Sequence, residues 1–355
     1  MLNREKLLKI ISGERRGVVA WLVRGGLSVA SRFYRMAISS RNRQFDRGKN
    51  VTQVDVPVVS IGNLTTGGTG KSPLVIWVAK FLRELGVRVA VLSRGYGAAS
   101  NQVSDESLEF QQRLQDVPHL QNPDRVASAA VAIEELEMQA LVLDDGFQHR
   151  KIARDLDVVL VDCTCPFGYG HLLPRGLLRE PLDSLRRAGL VVLNRCDRVT
   201  DQKLVELERE IRKFTQVPIT RTRISASHLQ QSNGQAVSLE SLAGKEIFAF
   251  AGIGNHANFW ATLGQLGFHL NETLPFPDHH NFNREDIAQI GSAAKATGVQ
   301  AIVCTHKDLV KIAADRIGGI PVYALIVNVE MMSGEDELKA ALTRVVYNAN
   351  RSDSD

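Results

Sequence analysis

Residues 61–73 read IGNLTTGGTGKSP, and the apolar run VPVVSIGN at 56–63 leads into them. The apolar run predicts a buried strand, and SPLVIWVAKFLREL at 72–85 predicts the helix that follows the glycines. This order is typical of a phosphate-binding loop, in which backbone N–H groups and a helix N-terminus surround phosphate oxygens. The strict pattern has a glycine where this chain has Thr65, so a chance glycine turn is the alternative interpretation.

The side chains around this loop predict how a nucleotide is held. Lys71 can reach the β- and γ-phosphates, and the Ser72 hydroxyl can bind Mg²⁺. A phosphate loop also needs a carboxylate at the end of a nearby strand, and ALVLDDG supplies Asp144 and Asp145 there. The predicted nucleotide-binding residues are Thr65, Thr66, Gly67, Gly68, Thr69, Gly70, Lys71 and Ser72.

Further apolar strands alternate with helical stretches, as LDVVLVDC at 156–163 and AGLVVLNRCD at 188–197 illustrate. Such alternation predicts an α/β protein: a P-loop NTPase-like parallel sheet with helices on both faces, plus a smaller C-terminal α/β domain. The predicted segments are a basic amphipathic N-terminal stretch (1–43), a P-loop core domain (44–224), a linker (225–244) and the C-terminal domain (245–355).

Positive charge is concentrated at the start of the chain, where residues 1–43 hold ten Lys or Arg against Glu5 and Glu14. Their uncharged runs, such as 17–23, are too short to span a bilayer, and no signal-peptide cleavage site follows an apolar core. Mixed apolar and basic residues fit a helix lying in a membrane interface, or equally a helix docked on its own domain. The net charge of +4 gives no reason to expect nucleic acid as a partner.

The four cysteines, Cys163, Cys165, Cys196 and Cys304, form no C-x-x-C pair. Buried reduced thiols in a cytoplasmic protein are the expected state. A metal site on the cysteines is the less favoured alternative.

Two other motifs compete with the phosphate loop. LVVLNRCD resembles the guanine-reading N-K-x-D motif, with Asn194 and Asp197 in place and Arg195 where a lysine is usual. FAGIGNHA at 250–257 fits the dinucleotide pattern G-x-G-x-x-A, although a plain strand-to-helix turn is favoured. A GTP-binding regulatory protein is therefore one alternative function.

Several arginines lie at predicted strand ends or in the loops that follow, the edge where α/β proteins bind ligands. Guanidinium groups bind anions in two-pronged geometry, so these residues suit a phosphorylated acceptor. Solvated surface arginines are the alternative for any one of them. The residues are Arg94, Arg125, Arg150, Arg175 and Arg179.

Several motifs appear in order over nearly the whole chain: SIGNLTTGGTGKSP, VLSRGYG, NPDRV, LDDGFQHRKIARDLDVVLVD, GHLLPRGLLREP, FAGIGN and FPDHHNF. Together they resemble the tetraacyldisaccharide 4'-kinase family. The resemblance implies ATP- and Mg²⁺-dependent phosphorylation of the 4'-hydroxyl of a tetraacylated glucosamine disaccharide 1-phosphate, a step of lipid A biosynthesis. It also implies a cytoplasmic enzyme, peripheral on the inner membrane, that needs no obligate protein partner.

The resemblance also implies roles for individual residues. Asp105 would be the base that takes the 4'-hydroxyl proton, and His279 of the F-x-D-H motif would orient it. Glu106 would organise Mg²⁺ together with Ser72, Asp144 and Asp145. The residues expected at the substrate are Arg94, Tyr96, Arg125, Gln148, His149, Arg175 and Arg179.

The chain departs from the family at the acid motif, where Ser104 and Ser107 replace a glycine and a proline around the two acids. This change motivates a third hypothesis, a family member that binds its ligands without turnover. His306 also stands where the family tends to carry an acid.

Overall fold

The computed structural model describes residues 4–95, 105–278 and 280–352. Its helices are α1 (Arg4–Ile11), α2 (Val18–Asp46), α3 (Lys71–Glu84), α4 (Asp105–Arg113), α5 (Arg125–Ala130), α6 (Asp201–Arg212), α7 (His256–Gln265), α8 (Arg284–Ala296), α9 (His306–Ile312) and α10 (Glu335–Ser352). Its strands are β1 (Val58–Asn63), β2 (Val89–Ser93), β3 (His119–Gln121), β4 (Ala140–Asp144), β5 (Leu156–Asp162), β6 (Leu190–Asn194), β7 (Ile219–Gln230), β8 (Ala236–Val237), β9 (Glu246–Ala251), β10 (His269–Pro275), β11 (Ala301–Thr305), β12 (Arg316–Ile317) and β13 (Ile320–Ser333).

The described chain divides into two compact units. The first holds residues 4–94, 120–223 and 330–352, and the second holds 95, 105–119, 224–278 and 280–329. The strands β7 and β13 each begin in one unit and end in the other.

A parallel sheet forms the centre of the first unit, in the order β2-β4-β1-β5-β6-β7. Every residue of β1, β2, β4, β5 and β6 is buried, as expected of strands covered on both faces. The loop that follows β1 lies at the carboxyl edge of the sheet. Because β1 pairs with β4 on one side and β5 on the other, this loop lies between the ends of those two strands. The predicted α/β class is therefore confirmed.

The second unit has its own parallel pairs, β10·β9, β9·β11 and β11·β13, and a core of aromatic and aliphatic side chains. Helix α4 packs against α9 inside this unit. This division differs from the predicted domains, because 105–119 belongs with the later residues and 330–352 with the earlier ones. Contiguous boundaries read along the chain cannot anticipate such exchanges.

The segment 225–244, which its Ser, Gln, Asn and Gly content predicts to be a linker or domain border, contains regular structure. Its first part continues β7, which pairs in antiparallel fashion with β8, and a 3-10 turn follows at Leu239–Leu242. Leu229 and Leu242 are buried in the second unit's core, and this burial offsets the weak strand propensity of the polar residues.

Helix α2 is docked on the first unit along one side. The Ser31 hydroxyl donates to the carbonyl of Leu172 at 2.8 Å, and the Tyr34 hydroxyl donates to that of Arg179 at 3.0 Å. The rest of its surface exposes large apolar side chains: Val18, Val19, Trp21, Leu22, Val29, Phe33 and Met36. Within the described residues, no helix has the length and apolar character needed to cross a bilayer.

Candidate active site

The phosphate-binding loop joins β1 to α3 at the carboxyl edge of the first unit's sheet. Gly70 caps α3 with a left-handed backbone (φ 85°), a conformation that favours glycine. Gly70 offers no capping side chain, and the first turn of α3 carries no acidic residue. The α3 N-terminus is thus arranged as an anion site needs, with its first N–H groups not taken by a capping side chain.

The segment 171–181 runs beside the phosphate loop and fixes its start. The Thr66 N–H donates to the carbonyl of Leu177 at 2.8 Å, and the Arg179 N–H donates to that of Leu64 at 2.7 Å. Thr65, the departure from the strict glycine pattern, forms an antiparallel bridge with Leu178. A residue in extended pairing needs no glycine, which explains why threonine is accepted there.

Charged side chains gather around Lys71. Its Nζ lies 3.3 Å from Oδ1 of Asp145 and donates to Oδ1 of Asn63 at 3.3 Å. The other oxygen of Asp145 accepts from Arg179 at 2.7 Å. One carboxylate therefore holds two cations at the mouth of the loop.

Gln148 joins the same cluster from the DDGFQH segment. Its Nε2 donates to the carbonyl of Asn63 at 3.0 Å, and its Oε1 accepts from Arg179 at 3.3 Å. A Cβ atom on Gly62 would lie 2.6 Å from the Cβ of Phe147, so the two segments approach too closely for any other residue at 62. The structure thus brings together Lys71, Asp145, Gln148 and Arg179.

The ionisation of Asp145 follows from these contacts. Burial on its own would raise the pKa of this carboxyl. Lys71 and Arg179 together outweigh burial and lower the pKa of Asp145 below its ordinary value. Asp145 is therefore an anion near neutral pH, and its backbone takes the uncommon left-handed conformation (φ 48°).

Arg125 has a different environment from the one predicted for a substrate-binding residue. It is only 2% exposed, and its guanidinium donates to the carbonyls of Asp144 at 2.6 Å and Asp145 at 3.3 Å. Arg125 therefore fixes the backbone of the aspartate pair. A direct contact with substrate stays a prediction.

The donors that the sequence assigned to Mg²⁺ lie at suitable places. Ser72 is in the first turn of α3, and Asp144 ends β4 beside β1. Hydroxyl and carboxylate oxygens are what Mg²⁺ prefers, and it often takes only one or two carboxylates plus phosphate oxygens. Within the described part of the chain, no cluster of three His, Cys, Asp or Glu ligands is present. Ser72, Asp144 and Asp145 fit the ion by their chemistry.

Other predicted substrate residues lie outside this cluster. The Arg175 guanidinium donates to the carbonyl of Ile11 at 2.9 Å, and Arg94 is exposed after β2. Burial, with the charge of Arg125 adding to it, lowers the pKa of His149 to about 4, so its imidazole is neutral at pH 7. Tyr96 lies outside the described residues. Substrate contact by these residues stays a prediction.

The predicted base belongs to the second unit. Asp105 and Glu106 begin α4, and nothing of their side chains is described; His279 lies outside the described residues. The neighbouring His280 is engaged elsewhere, because its Nε2 lies 2.8 Å from Oδ2 of Asp286 and its ring stacks on Phe276. This engagement supports the register that assigns the orienting role to His279, which stays a prediction.

Both competing motifs have structural uses. Asn194 is 1% exposed and its amide donates to the carbonyl of Thr69 at 2.8 Å, so it faces the phosphate loop. In the GIGN turn, the Asn255 side chain caps α7 by accepting from the N–H of Asn258 at 3.1 Å. The N-terminus of α7 is thus occupied by the Asn255 side chain, unlike that of α3. This favours a plain strand-to-helix turn over a dinucleotide site.

Sequence reasoning missed Asn63, which contacts Lys71 and supports Gln148. Its amide also donates to the carbonyl of Thr65 at 2.8 Å, so it links β1, the loop and the DDGFQH segment. Asn63 is fully buried, and a polar residue at the end of an otherwise apolar strand was the available signal.

Comparison with known proteins agrees with this geometry. A profile of the family described as tetraacyldisaccharide-1-P 4'-kinase matches residues 24–347. A tetraacyldisaccharide 4'-kinase of Anaeromyxobacter sp. (strain K) is 40% identical over 354 residues, covering 93% of this chain and 92% of the relative. The enzyme of that name from Syntrophus aciditrophicus is 39% identical, covering 86% of this chain and 88% of the relative.

A solved structure gives the same result. LpxK from Aquifex aeolicus, crystallised in complex with ATP, superposes with a TM-score of 0.73 and is 32% identical. The superposition covers 92% of this chain and 100% of that one. With the phosphate loop, Asp144 and Asp145, and the segment 171–181 all in place, the chain belongs to the tetraacyldisaccharide-1-P 4'-kinase family.

Proposed function

We propose that this protein is an ATP-dependent kinase that phosphorylates the 4'-hydroxyl of a tetraacylated glucosamine disaccharide 1-phosphate. The observation that carries the proposal is the cluster of Lys71, Asp145, Arg179 and Gln148 around an uncapped helix N-terminus. Phosphoryl transfer needs mainly positioning and compensation of negative charge, and such a cluster supplies both.

In the proposed reaction, the acceptor oxygen attacks the γ-phosphorus, the bond from that phosphorus to the β–γ bridging oxygen breaks, and ADP leaves. The hydroxyl proton passes to Asp105, which His279 orients. Lys71 and Arg179 neutralise charge on the phosphate oxygens, and Asp145 fixes both cations in place. Bound Mg²⁺, held by Ser72, Asp144 and Asp145 with Glu106, would add further charge compensation.

We further propose that α2 binds the cytoplasmic face of the inner membrane. At 100° per residue, the exposed Val18, Leu22, Val29, Phe33 and Met36 fall within about 60° of one another around the helix. A monomeric soluble surface rarely shows such a continuous apolar stripe. Exposed arginines beside the stripe suit anionic headgroups. A tetraacylated acceptor makes this location chemically sensible.

The test is transfer of label from γ-labelled ATP to tetraacyldisaccharide 1-phosphate in detergent micelles containing Mg²⁺. We expect labelled lipid with the wild-type protein and a loss of transfer in Lys71→Ala and Asp105→Asn. Lys80→Ala is the matched control, because Lys80 is an exposed lysine on the same helix. A folded wild-type protein that binds ATP and transfers no label would contradict the proposal and favour a non-catalytic family member.

A further inference from the structure

The NRCD segment at 194–197 follows β6 and contacts the phosphate loop, yet the proposed reaction assigns it no role. Both ends of the Asn194 amide make hydrogen bonds within the protein. Its Nδ2 donates to the carbonyl of Thr69 at 2.8 Å, while its Oδ1 accepts from the Thr222 hydroxyl at 3.2 Å and the Arg195 N–H at 2.8 Å. The Asn194 amide therefore links the end of β6 to the phosphate loop.

Arg195 contacts the same loop one residue earlier. One arm of its guanidinium donates to the carbonyl of Gly68 at 3.0 Å, and the other forms an ion pair with Asp162 at the end of β5. Its backbone is left-handed (φ 60°), an uncommon conformation for a residue with a side chain. The strain is retained where the guanidinium bridges the sheet to the phosphate loop.

Neighbouring side chains do not pack closely around Gly67 and Gly68 of the loop. A Cβ atom on Gly67 or Gly68 would meet no heavy atom within 4 Å in the described structure. The contacts from Asn194 and Arg195 to two successive carbonyls are therefore an important restraint on the loop's second half.

We propose that Asn194 and Arg195 are positioning residues that hold the phosphate loop in its nucleotide-binding shape. A trans peptide is planar, so fixing the Thr69 carbonyl directs the Gly70 N–H the opposite way, away from Asn194. Gly70 is the cap of α3, where a phosphate would lie. The inference rests on the proposed nucleotide site. It assigns the NRCD segment a structural role.

Two substitutions at Arg195 separate this role from stability. Arg195→Gly suits the left-handed backbone while it removes the guanidinium, and Arg195→Lys keeps a positive donor. The control is Arg223→Gln, which breaks an exposed arginine–carboxylate pair with Glu330 in the same unit. Asn194→Asp removes the donor to Thr69 and tests the second contact.

We expect Arg195→Gly to raise KM for ATP by about tenfold, since a hydrogen bond from a charged group is lost. KM for the lipid, the melting temperature and the preference for ATP over GTP should stay unchanged, with Arg195→Lys intermediate. An unchanged KM for ATP in both Arg195→Gly and Asn194→Asp would overturn the inference. A shifted ATP-to-GTP preference would also overturn it, because it would indicate base reading.

The outcome can be separated from that of the proposed function. If the wild-type protein binds ATP without transferring label, the kinase proposal fails, and the dissociation constant for a fluorescent ATP analogue replaces KM here. If Arg195→Gly does not fold, Arg195→Lys tests the positioning role instead: its KM for ATP should rise while its KM for the lipid stays unchanged.

Discussion

Lys71 and Arg179 are held by the two oxygens of one carboxylate, that of Asp145, at 3.3 and 2.7 Å. We expect Asp145→Asn to lower kcat by about a hundredfold, because the two cations lose the anion that fixes their positions. The measurement is the rate of label transfer at saturating ATP. Asp46→Asn is the control, since it removes an exposed carboxylate that pairs with Arg150. Equal rates in the two variants would contradict the positioning role.

A magnesium titration distinguishes the two roles assigned to Asp145. If it only fixes the cations, Asp145→Asn lowers kcat but leaves the Mg²⁺ concentration for half-maximal rate unchanged. If it is also a ligand, that concentration rises, as we expect for Asp144→Asn at the end of β4.

The apolar stripe of α2 predicts membrane binding that one charge can weaken. Phe33 is 68% exposed, and a buried phenylalanine side chain contributes about 1.5–3 kcal/mol. We therefore expect Phe33→Glu to reduce sedimentation with vesicles containing anionic phospholipid by at least about tenfold. Val205→Glu, a similar change at an exposed position of α6, should have no effect. The membrane proposal fails if wild type does not sediment with the vesicles.

Local patterns predicted the parts of the site that are contiguous in sequence. The strand, the glycines and Lys71 lie as the sequence indicated, because backbone geometry and helix capping are set by near neighbours. The roles of Asn194 and Arg195 could not be predicted, since both depend on pairing of β6 with distant strands. The same limit applies to α4, whose place beside α9 follows from packing across about 200 residues.

The buried His306 leads us to expect that the stability of the second unit depends on pH. It is 5% exposed and its Nε2 lies 2.8 Å from Oε1 of Gln112, which ties α9 to α4. Burial, with Arg113 adding to it, lowers the pKa of His306 from its ordinary 6.5 to about 4. Protonation would place a hydrogen on Nδ1, which is buried and has no hydrogen-bond partner among the described residues.

Between pH 6.5 and about 4 the unfolded chain binds more protons at His306 than the folded chain does. The contribution of neutral His306 to the free energy of unfolding is therefore fully present above pH 6.5. It is lost progressively as the pH falls from 6.5 to about 4, by up to about 3 kcal/mol. We expect His306→Gln, which cannot titrate, to melt at temperatures that differ less between pH 7 and pH 5 than those of wild type. An identical pH dependence in the two proteins would contradict this assignment.

We expect substitution of Glu180 to lower the stability of the protein strongly, because its side chain is 0% exposed and its Oε2 accepts three hydrogen bonds. The donors are Asn42 at 2.9 Å, Ser184 at 2.8 Å and Arg187 at 3.0 Å. Removing one partner of a buried ion pair leaves the other charge uncompensated. We expect Glu180→Ala to lower the free energy of unfolding by about 3–5 kcal/mol, measured by urea denaturation.

The matched control is Glu137→Ala, whose carboxylate is 73% exposed in a surface pair with Arg88 and should contribute about 0–1 kcal/mol. Glu180→Gln should fall between the two, since it keeps an acceptor oxygen but loses the charge. Because Asn42 is on α2 and Arg179 precedes Glu180, the same carboxylate joins α2 to the segment beside the phosphate loop. Glu180→Gln should therefore also lower kcat at temperatures where it remains folded. Equal losses of stability in the two alanine variants would contradict the role of Glu180 as a buried anchor.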